Sequence, residues 1–240
     1  MNDPILQLSD VEASYGPFRA LFGVTLTVGP GEAVALLGAN GAGKTTIARV
    51  ASGLVAPTAG TVRIDGADMS EAPTYEFARA GVAHAPEGRS VFATFTVSEN
   101  LELSFRRAFG RTGVADALDR AFDLFPRLRE RRRQVAGTLS GGEQRMLSLS
   151  RVLVEEPRLL IADELSLGLA PIIVDEVYET LETISESGTA LLIVEQHVQH
   201  ALDLCDRIAL LDHGQIEWEG PAADAADVVV SRLFETSGEG

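Results

Sequence analysis

Lysine and cysteine are nearly missing from this chain of 240 residues: each occurs once. A lone thiol, Cys205, excludes an internal disulfide and suits a reducing compartment. Long apolar runs are missing too. None approaches the ~20 residues that cross a bilayer, so any membrane role is expected to come through a partner. The opening "MNDPILQLSD" is acidic with no long apolar segment, so no signal peptide is expected. Positive charge is scarce: 20 Lys and Arg face 35 Asp and Glu, for a net charge of −15. That balance excludes the broad basic face of general nucleic-acid binding, and it offers no polybasic signal for anionic lipid. The one lysine is Lys44; every other basic side chain apart from histidine is arginine. A general preference for arginine explains most of that bias. The position that keeps lysine is then one where a compact ammonium and a planar guanidinium are not interchangeable.

Apolar residues make up 45% of the chain, enough for a sizeable core in one domain. "ILQLSDVEASYG" alternates as a strand does, and "FGVTLTV" looks like its partner. "AVALLG" is a short continuous apolar run, as in a buried parallel strand. It runs into a glycine-rich loop and a helical stretch, "KTTIARVASGL". "TVRIDG" and "GVAHAPEG" read as further strands. From about Thr96 to Arg133 the pattern turns helical, and another helix follows "LSGGEQ". "RLLIAD" and "TALLIVE" are buried strands separated by the helix "PIIVDEVYETLETISESG". "RIALLDHGQIEWEG" reads as a hairpin turning at His213-Gly214, and "AADVVVSRLFE" as a last helix. Strands alternating with helices imply a mostly parallel sheet covered on both faces.

"GANGAGKT" comprises Gly38, Ala39, Asn40, Gly41, Ala42, Gly43, Lys44 and Thr45. It satisfies G-x-x-x-x-G-K-[ST], and it stands after a buried strand and before a helix, as a phosphate-binding loop must. Glycines permit positive φ and close backbone approach. Loop amides and the helix N-terminus then face an anion. Lys44 is expected to bridge the β- and γ-phosphates of a nucleoside triphosphate and Thr45 to ligate Mg²⁺; Thr46 adds a phosphate contact. "LLIADE" delivers Asp163 and Glu164 to a strand's C-terminal edge, where ligands bind in open α/β sheets. Asp163 is expected to hold Mg²⁺ and Glu164 to act as general base on the attacking water.

"LSGGEQ" (Leu139, Ser140, Gly141, Gly142, Glu143, Gln144) then decides among phosphate-loop proteins. In the order cradle, signature, "LLIADE", the chain resembles the ATP-binding cassette (ABC) family along essentially its whole length. Alone, "LSGG" would be an ordinary helix cap. The resemblance implies an α/β P-loop NTPase with a RecA-like parallel-sheet core, an N-terminal antiparallel β subdomain and a helical subdomain. Residues 1–240 would form one cassette, with the helical part at about 96–155. It implies a head-to-tail dimer with a second ATP-binding subunit, self or homologue, with ATP between the cradle of one and the signature of the other. It also places Tyr15 on the adenine, where aromatic stacking is worth roughly 1–3 kcal/mol, and Glu87 in the loop that normally presents glutamine to Mg²⁺ and to the transporter.

Three stretches depart from the common family pattern. Glu87 replaces that glutamine. In "LSLGLAP", Leu165 replaces a proline and Ala170 replaces an aspartate. The family's switch histidine lies ten residues before the aspartate of a "DRI" segment, here Asp206; the count lands on Gln196, with His197 one place late. Together, "PEGR…VF", "AGTLSGGEQ", "SLGLAP" and "VEQ" resemble the ATP-binding subunits of branched-chain amino acid importers, the type paired with a second, different ATP-binding subunit. That implies transmembrane permease subunits, an indirect link to an extracytoplasmic solute-binding protein, and a cytoplasmic place on the inner face of the membrane. Three other readings stand beside this one: a nucleotide-gated binding module with weak hydrolysis, a soluble cassette ATPase outside transport, and a metal site in "HVQH". No further Cys or His is placed to complete a tetrahedral set for the last.

Overall fold

In the computed structural model, residues 3–88, 90–196 and 198–225 are described. They form two sheets, eight α-helices, a 3₁₀ turn at Ala136–Thr138 and a helical turn at 222–225 among the described residues. The first sheet is antiparallel. Strand β1 (Leu6–Tyr15) pairs with β2 (Phe18–Val28) on one side and β4 (Ala59–Ile64) on the other, and β5 (Ala67–Asp68) adds to the edge. Along β1, Leu6, Leu8, Val11 and Ala13 are buried while Gln7, Ser9 and Glu12 between them are not, which is the alternation of a sheet covered on one face.

The second sheet has six strands. They are β3 (Ala33–Leu37), β6 (Val82–Ala85), β7 (Leu159–Asp163), β8 (Ala190–Glu195), β9 (Arg207–Asp212) and β10 (Gln215–Pro221), in the order β10-β9-β3-β8-β7-β6. β3 runs parallel to β8 and β9, and β7 runs parallel to β8. Every residue of β3, β7 and β8 is buried, so these strands read as unbroken apolar runs. β9 and β10 form the hairpin expected at His213-Gly214, where both residues have positive φ, 45° and 77°. One apolar core joins both sheets to helix α1 (Lys44–Ala51); Leu8, Leu26, Val34, Ile47, Leu192 and Leu211 belong to it. One helix was not legible in the sequence, α2 (Thr74–Arg79), only six residues long, while α8 (Val198–Leu204) lies in the stretch that opens with "VEQHVQH".

The remaining helices are α3 (Val97–Phe109), α4 (Val114–Leu124), α5 (Pro126–Glu130), α6 (Gly141–Leu153) and α7 (Pro171–Glu186). Phe105, Leu101, Leu128 and Leu147 are fully buried among them. The chain parts into two compact units. One holds Met1–His84, Arg158–Glu164 and Ser185–Gly240, and the other Ala85–Pro157 and Leu165–Ile184. Beyond Ala225, the expected last helix "AADVVVSRLFE" lies outside the described residues.

Candidate functional site

In the sheet order, β8 lies between β3 and β7, and all three run parallel. Their C-terminal ends therefore emerge side by side. The end of β3 leads into Gly38, the end of β7 into Glu164 and the end of β8 into Gln196. A crevice at the C-terminal edge of parallel strands is where an open α/β sheet takes its ligand.

The loop Gly38–Gly43 needs its glycines for different reasons. Gly41 and Gly43 sit at φ 82° and 109°, in the left-handed region. Gly38 does not; a Cβ there would stand 2.3 Å from the Leu211 carbonyl oxygen, so it is held by the packing of β9. The loop is pinned further by the Gly214 amide, which donates to the Ala42 carbonyl at 2.7 Å. Asn40 and Ala39 are exposed at the rim, while Ala42 and Thr46 are buried. Lys44 opens α1 and is only 4% exposed. Its Nζ donates to the carbonyls of Gly38 at 2.9 Å and Ala39 at 3.1 Å, and lies 3.4 Å from Glu164 Oε1. The ammonium thus bends back over its own loop, where it is already desolvated.

Glu164 directly follows β7 with φ 47°, a left-handed conformation that costs a non-glycine residue of order 1–3 kcal/mol. Its amide donates to the Val194 carbonyl at 2.8 Å, so the bend is tied to β8. The Thr45 hydroxyl lies 3.4 Å from Asp163 Oδ1. These two hard oxygen donors, one hydroxyl and one carboxylate, fit the preference of Mg²⁺ for oxygen. The Gln196 amide nitrogen donates to Glu164 Oε1 at 3.3 Å and, more closely, to Asn40 Oδ1. The structure therefore brings Gln196 to the carboxylate and to the cradle together. His197 lies outside the described residues. Tyr15 ends β1 and is 41% exposed, and its hydroxyl is 3.5 Å from Arg49 Nη1 on α1. An exposed ring leaves a face for a base; the Arg49 contact, missed in the sequence, ties that ring to the helix behind the phosphate loop.

The signature belongs to the other unit. Ser140 caps α6, whose first residues are Gly141 and Gly142. Ser140 Oγ accepts from the Glu143 amide at 3.3 Å, and Glu143 Oε2 accepts from the Ser140 amide at 2.8 Å. This reciprocal box leaves the hydroxyl proton and the first amides of the helix for an external acceptor. Burial opposes ionisation of Glu143, but the Ser140 hydrogen bonds and the Arg131 guanidinium at 2.5 Å hold its carboxyl below the usual range. A Cβ on Gly142 would meet Ile173 Cγ2 at 2.7 Å, so this glycine also serves close packing against α7. Leu139 is buried, and Gln144 donates to the carbonyls of Ala136 and Leu139 at 3.0 and 3.2 Å. Glu87 follows β6 in the same unit as the signature, in an exposed loop. Two carbonyls of that loop are held by Arg145, a residue that sequence reasoning missed because nothing in "EQRML" marks a buried guanidinium.

The family model described as "ABC transporter" matches residues 21–166, a span that includes the cradle, the signature and the Asp163–Glu164 strand end. The chain belongs to the ABC transporter family. It carries that family's ATPase domain. The cassette is 41% identical over 212 residues to the high-affinity branched-chain amino acid transport ATP-binding protein BraG of Pseudomonas aeruginosa, covering 88% of this chain and 91% of that protein. It is 32% identical over 219 residues to an Archaeoglobus fulgidus protein named "Probable branched-chain amino acid transport ATP-binding protein LivF", covering 91% and 92%. Among solved structures, the ATP-binding subunit of an ABC transporter superposes with a TM-score of 0.81 at 28% identity, covering 98% of this cassette and 95% of that chain.

Proposed function

We propose that this cassette binds and hydrolyses ATP to drive import of branched-chain or related amino acids. Lys44, the loop amides and Thr46 receive the phosphates, and Tyr15 stacks on the adenine. Thr45 and Asp163 would hold Mg²⁺, and the family resemblance adds Glu87 as a further oxygen donor; the ion would neutralise phosphate charge. Glu164 takes a proton from water as the water oxygen bonds to the γ-phosphorus. The bond from that phosphorus to the β–γ bridging oxygen breaks, leaving ADP and phosphate. Gln196 orients the Glu164 carboxylate, which its amide already touches. Residues Leu139 to Gln144 cap the ATP of a second ATP-binding subunit, which packs head to tail. Permease subunits receive the motion, and an extracytoplasmic binding protein supplies the solute indirectly. The cassette works at the cytoplasmic face of the membrane; no helix among the described residues is long and apolar enough to cross it. Residues 1–240 act as one cassette whose helical part spans about 96–155.

The observation that carries this reading is Glu164: a carboxylate in a costly backbone conformation, beside Lys44 and Gln196 at three parallel strand ends. Likeness to two proteins named for branched-chain amino acid transport supports the solute class. The test is turnover of Mg-ATP by the purified chain, alone and with its permease partners. Glu164→Gln should retain ATP binding and lose on the order of 10²–10⁴ in rate, as removal of a general base does. Turnover undiminished in that variant would sink the assignment. A chain that binds ATP and never turns it over, even with permeases, would instead be a nucleotide-gated module.

A further inference from the structure

Arg145 stands in α6, five residues past the Ser140 cap, and is 4% exposed. Its Nη1 donates to the Pro86 carbonyl at 2.8 Å and to the Gly88 carbonyl at 2.6 Å, and its Nε donates to the Leu165 carbonyl at 3.2 Å. Pro86 and Gly88 flank Glu87, and Leu165 is the residue after Glu164. Six residues further along α6, Arg151 Nη1 donates to the Ser90 carbonyl at 2.5 Å, and its guanidinium lies 5.4 Å from the centre of the Phe92 ring. The loop is thus gripped at three of its carbonyls by two arginines of one helix. Burying a guanidinium is costly unless it is hydrogen-bonded. The planar fork spreads five fixed donors over three nitrogens and so reaches carbonyls that lie apart, whereas an ammonium donates from one nitrogen.

We propose that Arg145 is a positioning residue that latches the Glu87 loop to the signature helix, so that the two move as one body. It acts through the loop backbone and touches neither nucleotide nor metal. The same fork holds the carbonyl of Leu165, so the segment leaving Glu164 is fastened to that body too. The mechanical statement stands on these contacts alone. Its kinetic consequence rests on the ATPase reading above.

Hydrogen exchange by mass spectrometry on the full chain tests the latch. Arg145→Gln should speed exchange across residues 87–92 by about tenfold or more, since hydrogen bonds to a charged donor are lost. Strands β3 and β8 should exchange as in the wild type. Arg145→Lys keeps the charge but works from one nitrogen, on a shorter side chain, where the guanidinium uses Nη1 for the loop and Nε for Leu165, so it cannot hold all three carbonyls and it too should loosen the loop; this variant carries the comparison if Arg145→Gln does not fold. Wild-type exchange of the loop in the folded variants would overturn the proposal. The second arm is a cycle of Arg145→Gln, Glu87→Ala and their double in ATP turnover. If Arg145 works through the Glu87 loop, the double loses no more rate than the worse single. Losses that multiply would mean independent action and refute the latch. A wild type with no turnover would overturn the function proposed above, while the exchange arm would still decide on Arg145.

Discussion

At the scale of single residues, Gln196 carries the most consequential substitution in the cassette. By its spacing from Asp206 it is proposed to stand where the family pattern has a histidine; its carboxamide donates to Glu164 and to Asn40. An amide orients its neighbour but takes up no proton near neutral pH. Gln196→Ala should therefore slow steady-state turnover more than His197→Ala does. The reverse order would make His197 the switch residue. His84, at the end of β6, behaves differently. The Ser52 hydroxyl, 3.4 Å from Nδ1, donates to the Ala48 carbonyl at 2.8 Å, which leaves its oxygen able to accept from that ring nitrogen. Its buried Nε2 has no hydrogen-bond partner among the described residues. Burial, with Arg49 nearby, pushes its pKa down to about 4. The folded chain thus resists a proton that the unfolded chain accepts near 6.5. Stability from neutral His84 is whole above pH 6.5 and falls as pH drops toward 4. An NMR titration should find one histidine that stays neutral until about pH 4; titration of that signal near 6.5 would contradict the burial argument. Cys205 is equally withdrawn from chemistry, since burial, with Asp206 beside it, pushes its thiol up to about 12.

At the scale of elements, two helix starts are written into the chain with little ambiguity. Both "TVSE" and "SGGE" fold as reciprocal capping boxes, Thr96 with Glu99 and Ser140 with Glu143. The Thr96 amide donates to Glu99 Oε2 at 2.7 Å, and the Glu99 amide donates back to Thr96 Oγ1 at 3.2 Å. Thr96→Ala should cost about 1 kcal/mol, the usual loss of an N-cap, read as a lowered midpoint in urea unfolding. An unchanged midpoint would mean that tertiary packing alone fixes the start of α3. The cradle was legible for a similar reason: positive φ at Gly41 and Gly43 needs glycine, and a helix must follow. Gly38 was legible only as part of the motif. Its reason, the Leu211 carbonyl pressed against its Cα, comes from a strand more than 170 residues later in the chain.

At the scale of the whole molecule, the cradle with its two acids and the signature with the Glu87 loop fall in separate compact units. In the dimer proposed above the two would serve as half-sites, each completed by the second subunit. The Glu164→Gln chain, which should bind ATP without releasing it, is the form in which that dimer accumulates. Size-exclusion chromatography with ATP should double its apparent mass, alone or with a second, different ATP-binding subunit. Failure in both mixtures would count against the head-to-tail arrangement. The net charge of −15 adds long-range self-repulsion to any homodimer, so association should strengthen as salt screens it.

By itself, the sequence determined what local chemistry requires. Glycines stand where the backbone turns left-handed, lysine and threonine at the head of a helix, a serine cap with its glutamate three residues on, and two acids at the end of an apolar strand. Each constraint acts over a few residues and so leaves a readable trace. Tertiary structure alone decided which of these meet. Gln196 reaches Glu164 because β8 is inserted between β3 and β7, an order that no local pattern encodes. Arg145 grips the Glu87 loop across more than fifty residues of chain because α6 packs beside it. Such contacts depend on how helices and strands settle into one core, where long-range burial and not neighbouring residues sets the partners.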